Sequence, residues 1–493
     1  MMLFRMCLVV MFAGCGGPGG DWSPLVVNDD APASAPSLTD AGQTLAGEDV
    51  SEVAVDHSTD GGGSRFEPVV DGGLIEDNWP VFAGEVQRRY PSDALYLPFS
   101  DGQMAHWKNI MNTVEEKPDP VFMKVGASTF AGPGVLHCLD NPEIISLMSE
   151  AQAEAITHFS AGDAGGGSPF DRASLAVMSG RTAGWAISGT PSPLTQEIEA
   201  IDPQMALVEY GTNDMNMGLT HASAMWGFYD NLNALTESLM AQNILPVLHT
   251  IRHRADSLMA GQWVPTYNGI IRGLAQKHQV PFIDQYNALA VLSDDGLVGD
   301  GVHASTLASN PCDFTDSGMA YGTNRRNETT LKWMADYFQD WQDGASPAES
   351  LPLIPNLGDH EQPIGIDGFP FYHVGNTADS TTSEINTYDA CDRDIDESGP
   401  EVVYEFNLSA PTAMRLLIFS DPGGDVDIHL LEAPFDGDAC LARAHRQLEG
   451  TLAPGTYRLV ADSYVSGDGA QSGSYLLVAL ECAMGDESCD DPF

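Results

Sequence analysis

Ser128 follows Gly126 and Ala127 at the end of the apolar run Val121–Val125, where small residues let the chain turn and leave a hydroxyl free to project. A serine hydroxyl attacks a carbonyl only when a base takes its proton, and imidazole is the side chain whose pKa suits that task. His303 stands in the turn-rich stretch GLVGDGVHAS, three residues after Asp300. An aspartate at this spacing can accept the proton on one ring nitrogen, which fixes the tautomer and aims the other nitrogen at the serine. Asn213, in the block Gly211-Thr212-Asn213-Asp214 directly after ALVEY, can turn its amide toward a developing oxyanion. Gly180, within Met178–Thr182, and Ser128 itself offer backbone N–H groups for the same purpose. Taken singly, each block reads as a loop, a surface turn or a helix cap. Their joint occurrence points to acyl transfer through a serine nucleophile.

Loops of this kind must be held by regular elements. Between Trp79 and Trp341 compact apolar runs alternate with amphipathic stretches, the pattern of an α/β domain. Val121–Val125, Met205–Tyr210, Ile244–Thr250 and Pro281–Asp284 read as strands buried on both faces. Ala224–Ala241, Tyr267–His278 and Thr329–Gln342 read as helices, and a further helix opens at Asn141-Pro142, a cap followed by proline at the first helical position. Right-handed crossovers then give a parallel sheet with helices on both faces and a ligand crevice beyond the carboxyl ends of the strands.

In this order the four blocks resemble the SGNH (GDSL-like) hydrolase family, whose serine, glycine, asparagine and histidine positions fall on Ser128, Gly180, Asn213 and His303, with Asp300 as the aspartate of its DxxH block. The stretches VFMKVGAS, ALVEYGTND and YNGIIRGLAQKHQVPFIDQYNAL are also similar to the family, over roughly residues 120 to 340. The resemblance implies a flavodoxin-like three-layer α/β/α fold and ester hydrolysis. Ser128, His303 and Asp300 would form the triad, Ser128, Gly180 and Asn213 the oxyanion hole, and no metal or organic cofactor would be needed. The family's usual Gly-Asp-Ser reads Gly126-Ala127-Ser128 here, so a carboxylate that could position the serine turn is missing. An alternative therefore stays open: a catalytically weak or inactive surface lipoprotein that binds polysaccharide or acts as an adhesin.

Other candidate positions point to blander roles. His249 and His253 have i, i+4 spacing but lie at the end of a predicted strand without an HExxH pattern, so metal ligation is not expected. Arg252 and Arg254 can meet anionic substrate groups at the crevice mouth, yet solvated loop cations are the simpler expectation. Asn327-Glu328-Thr329 fits a glycosylation acceptor that would be idle in a bacterial lipoprotein.

The 70 Asp and Glu against 21 Lys and Arg leave a formal charge of −49, a field that repels nucleic acid and anionic lipid headgroups and suits solubility outside a cell. Arg5, the apolar run Met6–Ala13 and Gly14-Cys15 have the layout of a short secretory leader, and Phe12–Cys15 resembles a bacterial lipobox. The expectation is removal of residues 1–14, lipidation of Cys15, and export to the periplasm, outer membrane or cell surface. The membrane would be met only through that anchor. Residues 15–78, rich in Gly, Ala, Ser, Pro and Asp, read as a solvated tether before a hydrolase domain over 79–345.

With Cys7 in the leader and Cys15 lipidated, six of the eight cysteines remain, an even number that suits an oxidising compartment. Six cysteines allow 15 connectivities, and domain membership only separates one pair in the middle of the chain from four cysteines near its end; the hypothesis is Cys138 with Cys312, Cys391 with Cys440, and Cys482 with Cys489.

After the Pro-rich join at 346–359, short alternating runs from Val402–Leu408 to Ser474–Leu480 indicate a β-sandwich over 360–493. Its motifs GPEVVYEF, DVDIHLL and LAPGTYRLVADSY resemble pre-peptidase C-terminal (PPC-type) domains, which implies an accessory module. Asp392, Asp394, Asp396, Asp425 and Asp427 could offer oxygens to Ca²⁺, although acidic loops at sandwich ends are more often only solvated. Expected partners are a small ester or an acylated polysaccharide.

Overall fold

Apolar runs joined by helical crossovers bury both faces of each strand, and here they build one parallel sheet. In the computed structural model, residues 86–97, 99–132, 134–343, 351–391, 395–467 and 469–493 are described. The leader, Cys15 and the tether expected from the sequence lie outside the described residues. Strands β1 (Phe122–Gly126), β2 (Met205–Glu209), β3 (Leu245–His249) and β4 (Phe282–Ile283) stand in the order β1-β2-β3-β4, all parallel. At the free edge of β1, Gly126 N–H donates to Ala176 O at 3.1 Å and Met178 N–H to Gly126 O at 3.2 Å. Residues 176–178 thus take the place of a second strand, and the sheet has the 2-1-3-4-5 order of flavodoxin-like folds. Its switch point lies beside β1.

Side chains alternate across the sheet. Met123, Val125, Ala206 and Val208 enter one apolar cluster, and Phe122, Met205, Leu207 and Val247 enter another. Beyond β1 the single turn α1 (Ser128–Ala131) follows at once, and α2 (Glu150–Ser160) covers the second cluster. α3 (His221–Met240) and α4 (Leu258–His278) cover the first; α5 (Gly322–Asp343) closes the second through Leu331, Trp333 and Tyr337. The result is the expected three-layer α/β/α domain.

Three helices start earlier than the sequence pattern indicates, α3 by one turn, at His221 rather than Ala224. α4 opens at Leu258, where the Ser257 side chain accepts from Ala260 N–H, and it runs through Pro265 instead of beginning at Tyr267. α5 opens at Gly322 rather than Thr329. The helix read at Asn141-Pro142 is a single turn, Pro142–Ile145, capped by Asn141.

Alternating short runs after the join form β5 (Ile364–Gly365), β6 (Phe371–Asn376), β7 (Glu401–Leu408), β8 (Thr412–Ser420), β9 (Val426–Glu432), β10 (Cys440–Ala444), β11 (Gln447–Leu452), β12 (Gly455–Ser463) and β13 (Ser474–Glu481). A four-stranded sheet, β11-β8-β13-β6, faces a five-stranded sheet, β10-β9-β12-β7-β5, across a core that includes Tyr404, Leu416, Ile418, Leu459 and Leu477. The join is itself partly a strand: Leu353–Pro355 pairs antiparallel with Val86–Arg88.

The four-stranded sheet is buried on its outer face as well, because Leu417, Phe419, Leu476, Val478 and Leu480 share an apolar cluster with α3 and α4. A Cβ placed on Gly273 would stand 3.1 Å from Leu476 Cδ2, and one on Gly269, a turn earlier on the same face, 3.2 Å from Val478 Cγ1. Glycine is what lets α4 approach the sheet this closely. Polar contacts seal the margin. Arg415, fully buried, donates to Thr266 Oγ1 at 2.8 Å and to Asp486 at 2.9 Å while lying 3.7 Å over the Trp263 ring. Lys277 reaches Asp421 at 2.8 Å, and Tyr229 stacks on Phe419 with centroids 4.2 Å apart.

Replacing Gly273 by valine should overpack this contact and lower stability by about 1–3 kcal/mol. Thermal and urea unfolding of the two proteins would measure it; equal midpoints would mean that the two layers are not in close contact in solution.

Candidate active site

Strand β1 ends at Gly126 and α1 begins at Ser128, so the serine stands at the switch point, at the N-terminus of a helical turn. Ala127 O accepts from the N–H groups of Phe130 and Ala131, both at 3.1 Å, while the N–H of Ser128, as first helical residue, has no acceptor inside the turn. His303 Nε2 lies 3.0 Å from Ser128 Oγ, and its Nδ1 lies 2.8 Å from Asp300 Oδ2. Asp300 Oδ1 accepts from the N–H groups of His303 and Val302, each at 2.9 Å. These two N–H groups, and then the imidazole, hold the Asp300 carboxyl down at about 2. Gly301 takes φ +69°, and a Cβ there would come within 2.5 Å of Asp256 N, so the tight turn that carries Asp300 and His303 requires glycine.

The Gly180 and Asn213 loops leave the sheet on either side of β1. The 176–178 bridge leads the first past Gly126, and β2 delivers the second. Asp214 ties them together: one carboxylate oxygen accepts from Ala183 N–H at 2.9 Å and the other from Gly211 N–H at 3.0 Å. Burial pushes Asp214 up to about 6 against those two bonds. Asn213 donates one amide N–H to Arg181 O at 2.9 Å, and its amide carries a second. Of the five residues singled out for chemistry in the sequence, Ser128, His303 and Asp300 are joined by direct contacts, and the loops of Gly180 and Asn213 flank the end of β1.

Beneath them is an ion cluster that motif reading missed. Glu209, the last residue of β2, is buried with Arg326 Nη2 at 2.7 Å and Arg252 Nη1 at 3.7 Å. Burial alone would raise its carboxyl, but Arg326 and Arg252 outweigh burial and hold it below the ordinary value. Arg252 also donates from Nη1 to Thr129 Oγ1 at 3.1 Å and from Nε to Val302 O at 2.9 Å. One guanidinium thus connects the residue after the serine with the residue before the histidine. The Asn268 amide in α4 brackets Ile251, accepting its N–H at 2.8 Å and donating to its O at 2.9 Å, which sets the loop that carries Arg252. Arg254 donates to Thr212 O at 2.9 Å and pairs with Asp256. The expectation of solvated loop cations is overturned, because Arg252 is buried in the crevice wall and Arg254 is held by the Thr212 carbonyl and Asp256. The signal in the sequence was Glu209 itself, a charge inside an otherwise apolar strand.

Other sequence candidates resolve differently. His249 is fully buried edge-on against Phe130, and burial pushes it down to about 4, whereas His253 stacks on Tyr286 with centroids 3.7 Å apart. Among the described residues the two share no metal-ligand group. Asn327 is buried, accepting from Leu136 N–H at 3.0 Å and donating to Gly134 O at 2.7 Å, so its glycosylation motif is sealed inside the fold. The three disulfides pair as expected: Cys138 with Cys312, Cys391 with Cys440, and Cys482 with Cys489. Asp425 and Asp427 gather at His445, and Asp427 is also paired with Arg443. That group offers two carboxylates and an imidazole, short of the six to eight oxygens Ca²⁺ prefers. Asp396 accepts from Ser398, and Asp392 and Asp394 lie outside the described residues.

A switch-point serine in hydrogen-bond reach of a histidine that an aspartate orients is the arrangement with which α/β hydrolases carry out acyl transfer. Residues 156–308 of the central domain match the model of the GDSL-like Lipase/Acylhydrolase family; the matched stretch holds Gly180, Asn213, Asp300 and His303 and begins after Ser128. Among solved structures, a GDSL-like lipase from Bacteroides thetaiotaomicron is similar at 15% identity over 47% of this chain and 96% of its own, with a TM-score of 0.29. An acetylxylan esterase from Geobacillus stearothermophilus is similar at 15% identity over 43% of this chain and 93% of its own, TM-score 0.29. The pre-peptidase C-terminal domain of a Bacillus anthracis collagenase is similar at 16% identity over 25% of this chain and 93% of its own, TM-score 0.16. No curated protein matches the chain. No helix among the described residues is long and apolar enough to cross a membrane.

Removing the Glu209 charge alone, as Glu209→Gln, leaves two buried guanidinium groups without a counter-charge and should destabilise the fold by about 3–5 kcal/mol. Pairing it with Arg252→Met, which removes one of the two cations, should recover part of that loss in a double-mutant cycle read by urea unfolding. The Asp214 carboxyl is raised in the fold, so its contribution to stability is present below the usual carboxylate range and is lost as the pH rises through about 6. The stability difference between the native chain and Asp214→Asn, measured from pH 4 to 8, should change over that interval; a flat difference would contradict the assignment.

Proposed function

We propose that the protein is an exported, lipid-anchored ester hydrolase working through an acyl-enzyme. Ser128 Oγ attacks the ester carbonyl as His303 Nε2 takes its proton, and Asp300 holds the imidazole and balances the imidazolium. The N–H groups of Ser128 and Gly180 and the amide of Asn213 receive the oxyanion. Collapse expels the alcohol, which takes the proton from His303. A water then loses its proton to the same nitrogen, attacks the acyl carbonyl and releases the acid and free Ser128. The carrying observation is the chain of contacts from Ser128 through His303 to Asp300, at 3.0 and 2.8 Å.

The absent family aspartate favours the rival reading, a polysaccharide-binding or adhesive surface lipoprotein. Two substitutes weigh against it: Ala127 O already closes the turn, and Arg252 secures Thr129 from below. Small esters and acylated polysaccharides remain the substrate classes proposed. The anchor is proposed from Cys15 and the leader-like run before it. Incorporation of a fatty-acid label that disappears in Cys15→Ser would support it, and unchanged labelling would count against it.

On p-nitrophenyl acetate, Ser128→Ala should lower kcat/KM by roughly 10³-fold or more, and Asp300→Asn by a comparable factor because it admits the wrong imidazole tautomer. A fluorophosphonate should label Ser128 in the native chain. Background rates in the native chain and in Ser128→Ala alike, with no label, would favour the binder instead.

A further inference from the structure

A cavity of about 540 Å³ opens beside the serine, and its lining joins Ser128 and His303 to Arg252 and Arg326. Most of its other walls are small or apolar, among them Gly134, Val135, Ala304 and Pro311. Arg326 is only 2% exposed. Its Nη2 serves Glu209 and one face of the guanidinium covers Phe130, with Cζ 4.4 Å from the ring centre, yet Nε and Nη1 meet no acceptor among the described residues. A ring face does not satisfy N–H groups that point outward in the guanidinium plane. Arg252 commits Nε to Val302 and Nη1 to Thr129 and Glu209, which leaves Nη2 for a ligand.

Charge is unbalanced in the same place. Two guanidinium groups face the single carboxylate of Glu209, and Asp300, half-exposed, is committed to His303 and Val302. Buried N–H groups without acceptors and a buried unpaired cation are both unfavourable, and one bound anion relieves both. The setting sharpens the point: with a formal charge of −49 and only 21 Lys and Arg in the chain, two of these cations are buried beside the nucleophile. One positive charge in excess suits a singly charged carboxylate better than a doubly charged phosphate, and the planar fork matches its two oxygens.

We propose that this cavity is a carboxylate-recognition subsite and that the ester cleaved at Ser128 carries a carboxylate, in its acyl part or in its alcohol part. The inference rests on the ester-hydrolase reading and names the substrate class for the same site. Arg326 and Arg252 seat the carboxylate, and the ester carbonyl then lies at Ser128.

The test compares pairs of esters that differ in charge, using the purified full-length protein. In the acyl arm, p-nitrophenyl hemiglutarate is set against p-nitrophenyl valerate. In the alcohol arm, an acetylated methyl glucuronoside is set against the acetylated methyl glucoside. In one arm the charged member should be preferred by about tenfold or more in kcat/KM, the order of one charge-assisted hydrogen bond, and the preference should shrink with added salt. In Arg326→Gln the ratio within the preferred pair should fall toward one. If that variant does not fold, Arg326→Gln with Glu209→Gln removes the buried charge from both sides and is read by the same ratio. Two results overturn the subsite while leaving the hydrolase intact: neutral esters cleaved in a Ser128-dependent way with no charged preference in either arm, or a charged preference that survives loss of Arg326. If no ester is cleaved and no fluorophosphonate labels Ser128, the hydrolase reading fails and the subsite falls with it.

Discussion

The buried carboxylate of Glu209 and the two guanidinium groups that face it are the constraint on which the crevice depends. β2, the loop after β3 and helix α5 come from distant parts of the chain, and each contributes one charge to the cluster. Such charges cannot separate without leaving one uncompensated in a medium of low dielectric constant. The arrangement of the segments is thereby fixed even though the cluster adds little net stability. Arg252 converts that fixity into active-site geometry, because its remaining hydrogen bonds go to Thr129 and Val302, the neighbours of the serine and the histidine. In a chain with alanine where the family usually has aspartate, the support of the serine turn comes from below rather than from beside it.

The C-terminal sandwich belongs to the same mechanical system. α4 is buried on one side by the parallel sheet and on the other by β8 and β13, so the hydrolase layer and the sandwich share one apolar cluster. Thr266 receives the Arg415 hydrogen bond, and Asn268, two residues on, grips Ile251 next to Arg252. A physical path of packed and hydrogen-bonded groups thus runs from the sandwich to the crevice. An accessory module tethered by a flexible join would have no such path. The join is instead anchored by the pairing of Leu353–Pro355 with Val86–Arg88.

Much of this was legible in the sequence where the governing interactions are local. Asp300 and His303 are three residues apart, so a single turn decides their relation, and glycine at 301 is the local mark of that turn. The strands were visible because burial on both faces demands unbroken apolar runs. The ends of helices were less legible: the reading of α4 begins at Tyr267, whereas packing on both sides carries the helix back through Pro265 to Leu258. Arg252 and Arg254 were misread because a loop arginine has the same sequence appearance whether it is solvated or buried against a carboxylate.

By itself, then, the sequence determined the layer architecture, the order of the chemical blocks and the identity of the residues able to transfer a proton, since periodicity and short-range turn chemistry are written in neighbouring residues. Tertiary structure alone decided that Ser128 and His303, 175 residues apart, stand within 3.0 Å of each other. It also decided that Glu209 finds Arg326 across 117 residues and that the sandwich packs on α4. These relations depend on which surfaces meet when the sheet closes. Burial then turns a charge that water would have screened into a specific and indispensable partner.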